Sequence, residues 1–222
     1  MNAKKPLGSK DDPSYVRVTN MPDPNLAYSS VAHPGAKGFI YNGTMKPSVA
    51  DKYKGEGYSF CMRNLNTQDN EWDVALTAQE TDRITGTSEK HGYALALMPM
   101  FILNVSSINN TNNNPLDIAN NVLDLLNSAS IPIGTTVWLQ LKDNDNDNGA
   151  KSDQIQEIEH YIFQSGYSIG ILGDEVQLQQ QTNGRVLEST YTPFEESNSG
   201  TTIRTIMIGE NSGTYPIYWA LQ

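Results

Sequence analysis

The stretch from Thr136 to Leu172, TVWLQLKDNDNDNGAKSDQIQEIEHYIFQSGYSIGIL, decides the fold class. It opens with Thr136-Val137-Trp138-Leu139-Gln140-Leu141, a run of β-branched, aromatic and aliphatic residues that predicts a strand. A polar segment follows. Ser152 then starts a helix whose Ile155, Ile158 and Ile162 recur on one face, and Gly166 ends it. Ser168 to Leu172 is strand-like again. Strand, helix, strand in this order is a βαβ unit, the building block of a parallel sheet.

The rhythm continues toward the N-terminus. Asn114-Pro115 caps a helix with Ala119, Val122, Leu123 and Leu126 in one stripe. Before it, Tyr93-Ala94-Leu95-Ala96-Leu97-Met98 is continuously apolar and too short for a buried helix, which suits a parallel strand covered on both faces. Thr77-Ala78-Gln79-Glu80 is a capping box that starts a helix, with Gly92 as its expected stop. Tyr58 to Met62 and Gly38 to Tyr41 are earlier strands. Between them Pro47 opens a helix carrying Val49, Ala50 and Tyr53, which Gly55 and Gly57 end.

Repetition at intervals of about thirty residues predicts an α/β fold, a (β/α) TIM-like barrel. Residues 1–36, rich in Pro, Ser, Asp and Asn with one weak strand candidate at Tyr15 to Val18, read as an arm that wraps the domain. Residues 37–222 then form the barrel domain. Downstream of Leu172 the strand-like runs Val186-Leu187, Ile203 to Ile208 and Ile217 to Trp219 have no convincing helices between them. The residues left after the arm also fall short of the ~200 of the smallest regular barrels. The barrel is therefore expected to be compact and irregular in its C-terminal third.

Fifteen Lys and Arg stand against 25 Asp and Glu, a net charge of −10. That excess repels nucleic acid and anionic membranes, and the only basic cluster is Lys4-Lys5. Cys61 is the single cysteine, so neither an intrachain disulfide nor a thiolate cluster is available. His33, His91 and His160 show no zinc spacing, and no metal or cofactor is expected. No run approaches the ~20 apolar residues of a membrane span, and none follows the N-terminal Lys residues as a signal peptide requires. The expectation is a cytoplasmic protein, or one exported without a cleaved signal.

Three stretches taken together resemble a known family: Gly38-Phe39-Ile40-Tyr41-Asn42-Gly43, Pro47-Ser48-Val49-Ala50, and Gly57-Tyr58-Ser59-Phe60-Cys61-Met62-Arg63-Asn64-Leu65. They are similar to the opening of bacterial glycoside-hydrolase-like domains related to muramidase-type lysozymes. The likeness extends through Leu76-Thr77 to Glu80, His91-Gly92-Tyr93 and Pro132 to Trp138, covering roughly residues 38 to 175. It implies a barrel with a carbohydrate-directed site at the C-terminal ends of its strands. Glycoside cleavage needs two carboxyl groups, ~5–5.5 Å apart for retention and ~6.5–9.5 Å apart for inversion. Where the family has an acid on its first strand, this chain has Ile40, and the family's second acid aligns with Lys142.

Alternation puts Trp138, Gln140 and Lys142 on one face of their strand, with Asp143 following in the loop. Asp143 and Asp145 are the candidate surviving carboxylates. Arg63 matches the family's arginine and either orients substrate or forms a structural ion pair. Tyr41, Trp138 and Trp219 either stack on sugar rings or pack in the core. The loop from Asp143 to Gly149 alternates Asp and Asn as calcium loops do, but Asn148 and Gln154 stand where an EF-hand needs Gly and Glu. A solvated loop on the ligand side is the expectation. Two functions stay open: a glycosidase-like protein directed at peptidoglycan with weak or lost hydrolysis, and a non-catalytic barrel that binds glycan or protein.

Overall fold

A computed structural model describes residues 27–32, 35–67, 74–85, 95–104, 108, 114–142 and 152–172, and the strand segments 185–186, 192–194, 203–207 and 215–220. Six strands run in consecutive parallel order: β2 (Lys37–Tyr41), β3 (Phe60–Asn64), β4 (Ala96–Asn104), β5 (Thr136–Lys142), β6 (Ser168–Leu172) and β7 (Arg185–Val186). Helices α1 (Pro47–Gly55), α3 (Pro115–Ser128) and α4 (Ser152–Gln164) fall between successive strands, and α2 (Ala78–Thr85) precedes β4. The parallel α/β alternation expected from the sequence is present. Gly92, the expected stop of α2, lies outside the described residues.

The helices form for the reasons their sequences carry. Asn114 accepts a hydrogen bond from the Leu116 amide at 3.1 Å, Pro115 occupies the first turn, and Ala119, Val122 and Leu126 are buried on one face of α3. Ile155, Ile158 and Ile162 of α4 are fully buried, as their spacing predicts.

Two separate apolar cores define the architecture. The larger lies between sheet and helices, joining Phe39, Cys61, Leu97, Leu139 and Ile171 of the strands to Tyr53, Ile84, Val122 and Ile158 of the helices. The smaller contains Ile40, Phe60, Met62, Ala96, Met98, Met100, Ile102, Trp138 and Leu172. Every one of these nine comes from a strand. A sheet face buried without helices must curl onto itself, which is the packing of a barrel interior.

Two glycines make that interior possible. A Cβ at Gly38 would sit 2.1 Å from the Phe60 ring, and one at Gly170 would sit 2.3 Å from the ring of Trp138. The large rings therefore lie over bare backbone of neighbouring strands, large against small as a tapered interior requires.

The C-terminal third departs from the repeat. β9 (Ile203–Met207) lies antiparallel beside β2, and β8 (Thr192–Phe194) antiparallel beside β9. β1 (Ala27–Ala32), the end of the expected arm, pairs antiparallel with β10 (Tyr215–Ala220) along its whole length. This ribbon touches β4 through the Tyr218–Leu97 pair. β4 runs on to Asn104, beyond the expected end at Met98, despite Pro99. The pairing explains the tolerance. One edge of β4 faces β10 at Leu97 and β5 from Met100 onward, so the missing proline N–H falls where the edge changes partner.

Candidate functional site

Alternation along the strands carries the inner face up to their C-terminal ends, where barrel proteins keep their chemistry. Toward that end the inner face presents Asn64 on β3, Ile102 and Asn104 on β4, and Gln140 and Lys142 on β5, with Ile40 on β2 and Leu172 on β6. Asn64 lies opposite Met100, Ile102 opposite Gln140, and Gln140 opposite Leu172 in register. Among the described residues, the mouth thus carries amides and aliphatic groups with a lysine at its rim. Among the described residues, no carboxylate stands on this face.

Asn66 shapes the mouth from just beyond β3. Its side-chain amide donates to the Ile102 carbonyl at 2.8 Å and accepts from the Ile102 amide at 2.9 Å, so the carboxamide extends the β3–β4 ladder as a peptide unit would. The chain then returns, and the Leu76 amide donates to the Asn64 carbonyl at 2.8 Å. With its backbone so held, Asn64 is 1% exposed, and its side-chain Oδ1 accepts no hydrogen bond. The Oε1 of half-buried Gln140 is likewise buried and unpartnered. A buried acceptor left unpaired costs on the order of 1–3 kcal/mol, so two at one end of an apolar interior call for a reason.

Arg63 sits on the opposite face. It is fully buried between sheet and helix layer, where its Nε and Nη2 donate to the two carboxylate oxygens of Glu80 at 2.7 and 3.0 Å. Its Nη1 donates to the Tyr41 carbonyl at 2.7 Å and its Nη2 to the Val74 carbonyl at 3.0 Å. Of the two roles open to Arg63, the geometry is that of the structural ion pair. Glu80 in turn does only half of the capping expected of it. Its amide reaches the Thr77 hydroxyl at 3.3 Å, but its carboxylate binds Arg63 and the Met45 amide rather than turning back to the helix start. Cys61, next to this pair, is fully enclosed, and burial pushes its thiol pKa far up, against the smaller opposing pull of Arg63.

Two of the aromatic candidates, Tyr41 and Trp138, also face away from solvent. Tyr41 packs in the helix-side core. Trp138 fills the barrel interior, its indole N–H pointing to the Met98 sulfur at 3.1 Å, below the level of Gln140. The Trp219 backbone lies opposite Tyr28, beside the N-terminal end of β4 and so away from the mouth. Gln140 and Lys142 alone, of the expected substrate-binding residues, share the mouth. Asp143, Asp145 and the loop to Gly149 lie outside the described residues, as the continuation of β5. No group of three or more potential metal-ligating side chains occurs among the described residues, and no described helix is long and apolar enough to cross a membrane.

Asn64 and Asn66 went without a role in the sequence reading. The signal for Asn64 was parity: Phe60 and Met62 share its face, and an amide interrupts an apolar series. Nothing local marks Asn66, because its partner lies 36 residues away.

The site and fold together define a TIM-like α/β barrel with an amide-lined mouth. No protein-family model matches the sequence, and no curated protein does. Solved structures do match in fold. The chain is similar to the Tat-secreted protein Rv2525c of Mycobacterium tuberculosis, solved with HEPES, at 12% identity and a TM-score of 0.51 over 81% of this chain and 98% of that one. An uncharacterised protein of B. stearothermophilus matches at 15% identity and a TM-score of 0.53, over 85% and 97% of the two chains. The catalytic domain of endolysin ply40, from bacteriophage P40 of Listeria monocytogenes, matches at 10% identity and a TM-score of 0.51, over 81% and 96%. At these identities the likeness is one of fold.

Proposed function

We propose that this chain is a glycoside-hydrolase-like barrel, related to the muramidase type, that engages cell-wall glycan while hydrolysing it weakly or not at all. The observation that carries this is the composition of the mouth. Ile40 stands where the resemblance puts the first strand's acid, and Gln140 and Lys142 lie on the inner face of β5, so the described part of the mouth has no general acid and no nucleophile. A two-carboxylate mechanism has nothing there to work with. Asp143 and Asp145, which follow directly on β5, are the candidates for any residual chemistry, and one carboxylate without a partner does no more than polarise a sugar. The fold shared with an endolysin catalytic domain supports peptidoglycan as the ligand class. The second reading, a barrel that binds glycan or protein with no catalysis at all, rests on the same absence of described acids.

The test is sedimentation with purified peptidoglycan sacculi, alongside measurement of released reducing ends. Co-sedimentation with no release is expected, since losing a general acid or base removes ~10²–10⁴-fold in rate and losing the nucleophile as well removes more. Lysis by the wild type that Asp143→Asn or Asp145→Asn abolishes and Asp51→Asn leaves intact would refute the proposal.

A further inference from the structure

Four large apolar side chains are exposed among the described residues: Val74, Leu116, Ile133 and Phe163. The two most exposed, Ile133 at 47% and Phe163 at 67%, come together at the end of the barrel opposite the mouth. Phe163 lies in the last turn of α4, and Ile133 lies in the turn that leads from α3 into β5. Backbone bonds knit the two turns into one surface. The Gly134 amide donates to the Gly166 carbonyl at 2.9 Å, the Gly166 amide to the Phe163 carbonyl at 2.9 Å, and the Ser168 amide to the Thr135 carbonyl at 3.1 Å. Ile133 also lies on the bare backbone of Gly166, where a Cβ would stand 2.6 Å from its Cγ2. Both exposed side chains thus stand out from one braced surface.

That surface is built from uncharged sequence. Residues 125–141 and 161–172, which contain both turns, hold no Asp, Glu, Lys or Arg, in a chain whose charged residues make up 18%. The helices above it differ, since α3 and α4 carry Asp117, Asp124, Asp153, Glu157 and Glu159 with no Lys or Arg. A cationic partner is steered to those carboxylates rather than to the neutral end. We infer that the neutral end binds the same end of a second copy of this chain, in an isologous dimer centred on Phe163 and Ile133. In a two-fold contact every residue of the patch meets residues of the same patch, so any charge within it would face its own like. Two copies at −10 each repel one another at long range, and a charge-free patch lets them touch without adding to that repulsion. An aromatic centre depleted of charged residues is the composition of an interface core. Two protruding side chains per copy cover little area, so the contact belongs to the small, weak class. The dimer leaves the mouth, at the other end of the barrel, uncovered.

The experiment is sedimentation velocity of the full chain over a concentration series, at ~0.01 M and ~0.15 M salt. Wild type should pass from monomer to dimer as concentration rises, and more readily at the higher salt. Screening removes the repulsion between two anionic copies while the apolar contact persists. Phe163→Glu should weaken dimerisation more than about thirtyfold, the scale of a central anchor lost, and Ile133→Asp should do the same. Leu116→Asp, on the first turn of α3 at the mouth end, should dimerise as wild type does. Phe163 is mostly in solvent, so Phe163→Glu should melt as the wild-type monomer does and carries the test should Ile133→Asp fail to fold. A wild type that stays monomeric at every concentration, a dimer that Phe163→Glu leaves intact, or association that the higher salt dissolves overturns the inference. Growth beyond a dimer would show a head-to-tail contact and sink the isologous arrangement. Flotation with vesicles of neutral phosphatidylcholine is the second measurement. Vesicles that capture wild type but not Phe163→Glu, with no dimer in solution, would assign the patch to lipid and refute the second copy.

Discussion

Replacing Glu80 with alanine tests the tie between sheet and helix layer. Glu80 is 1% exposed and Arg63 is fully buried, and their bidentate pairing is closed further by the Met45 amide at 2.8 Å. Glu80→Ala leaves the guanidinium its bonds to the Tyr41 and Val74 carbonyls but removes its counter-charge and orphans the Met45 amide. Breaking a buried pair from one side costs about 3–5 kcal/mol, where an exposed pair is worth about 0–1 kcal/mol. For a domain of this size the loss lowers the melting temperature by roughly 6–20 °C. The double variant Arg63→Met with Glu80→Leu should recover part of this, because no charge is then left buried, though the Tyr41 and Val74 carbonyls lose their donor. Urea denaturation at neutral pH compares wild type with both variants. A Glu80→Ala protein within about 1 kcal/mol of wild type would refute the reasoning, since it would place the pair in the solvent-screened class.

Gly170→Ala should destabilise by about 1–3 kcal/mol, because the new methyl meets the Trp138 ring and a fully buried ring has nowhere to move. Adding Trp138→Leu should relieve part of the clash, and a Gly170→Ala protein more stable than wild type would contradict the packing described. Burial raises the thiol pKa of Cys61 and the phenol pKa of Tyr167, which donates to the Ile131 carbonyl at 3.0 Å. Both groups are neutral when protonated and have folded pKa values above their unfolded ones. Their contribution is therefore complete below the unfolded values, about 8.5 for thiol and 10 for phenol, and falls as pH rises beyond them. Urea midpoints should decline between pH 8 and 10.5, and Cys61→Ala with Tyr167→Phe should flatten that slope. In the native protein at pH 8, Cys61 should react with a thiol reagent only at the rate of unfolding.

The course of the chain from Gly38 to Leu172 was legible in the sequence because its signals are local. Isoleucines at helical spacing in α4, the Asn114 cap of α3 and the short apolar run leading into β4 each lie within one or two turns or one strand. What they predict, parallel strands in consecutive order, is what the sheet contains. The end of β4 was not legible. Pro99 argues for a break, and only the change of edge partner from β10 to β5 makes it harmless. The direction of β8, β9 and β10 was equally hidden, since a short apolar run says nothing of whether its neighbour lies parallel or antiparallel.

The site divides in the same way. The sequence by itself determined that Ile40 and Lys142 are not acids, and that Trp138, Gln140 and Lys142 share a face, because identity and alternation are properties of the chain alone. Which face looks inward was decided only by the tertiary structure. All five residues of β3 are buried, so Phe60-Cys61-Met62-Arg63-Asn64 has no polar side to mark its orientation. Closure of the sheet turns Asn64 into the barrel mouth and Arg63 toward α2, where Glu80 neutralises it from 17 residues away. A charge and an amide adjacent in sequence thereby take opposite roles, one in holding the layers together and one facing the candidate site. The reason is that burial on both faces removes the local signal, and only long-range pairing supplies another.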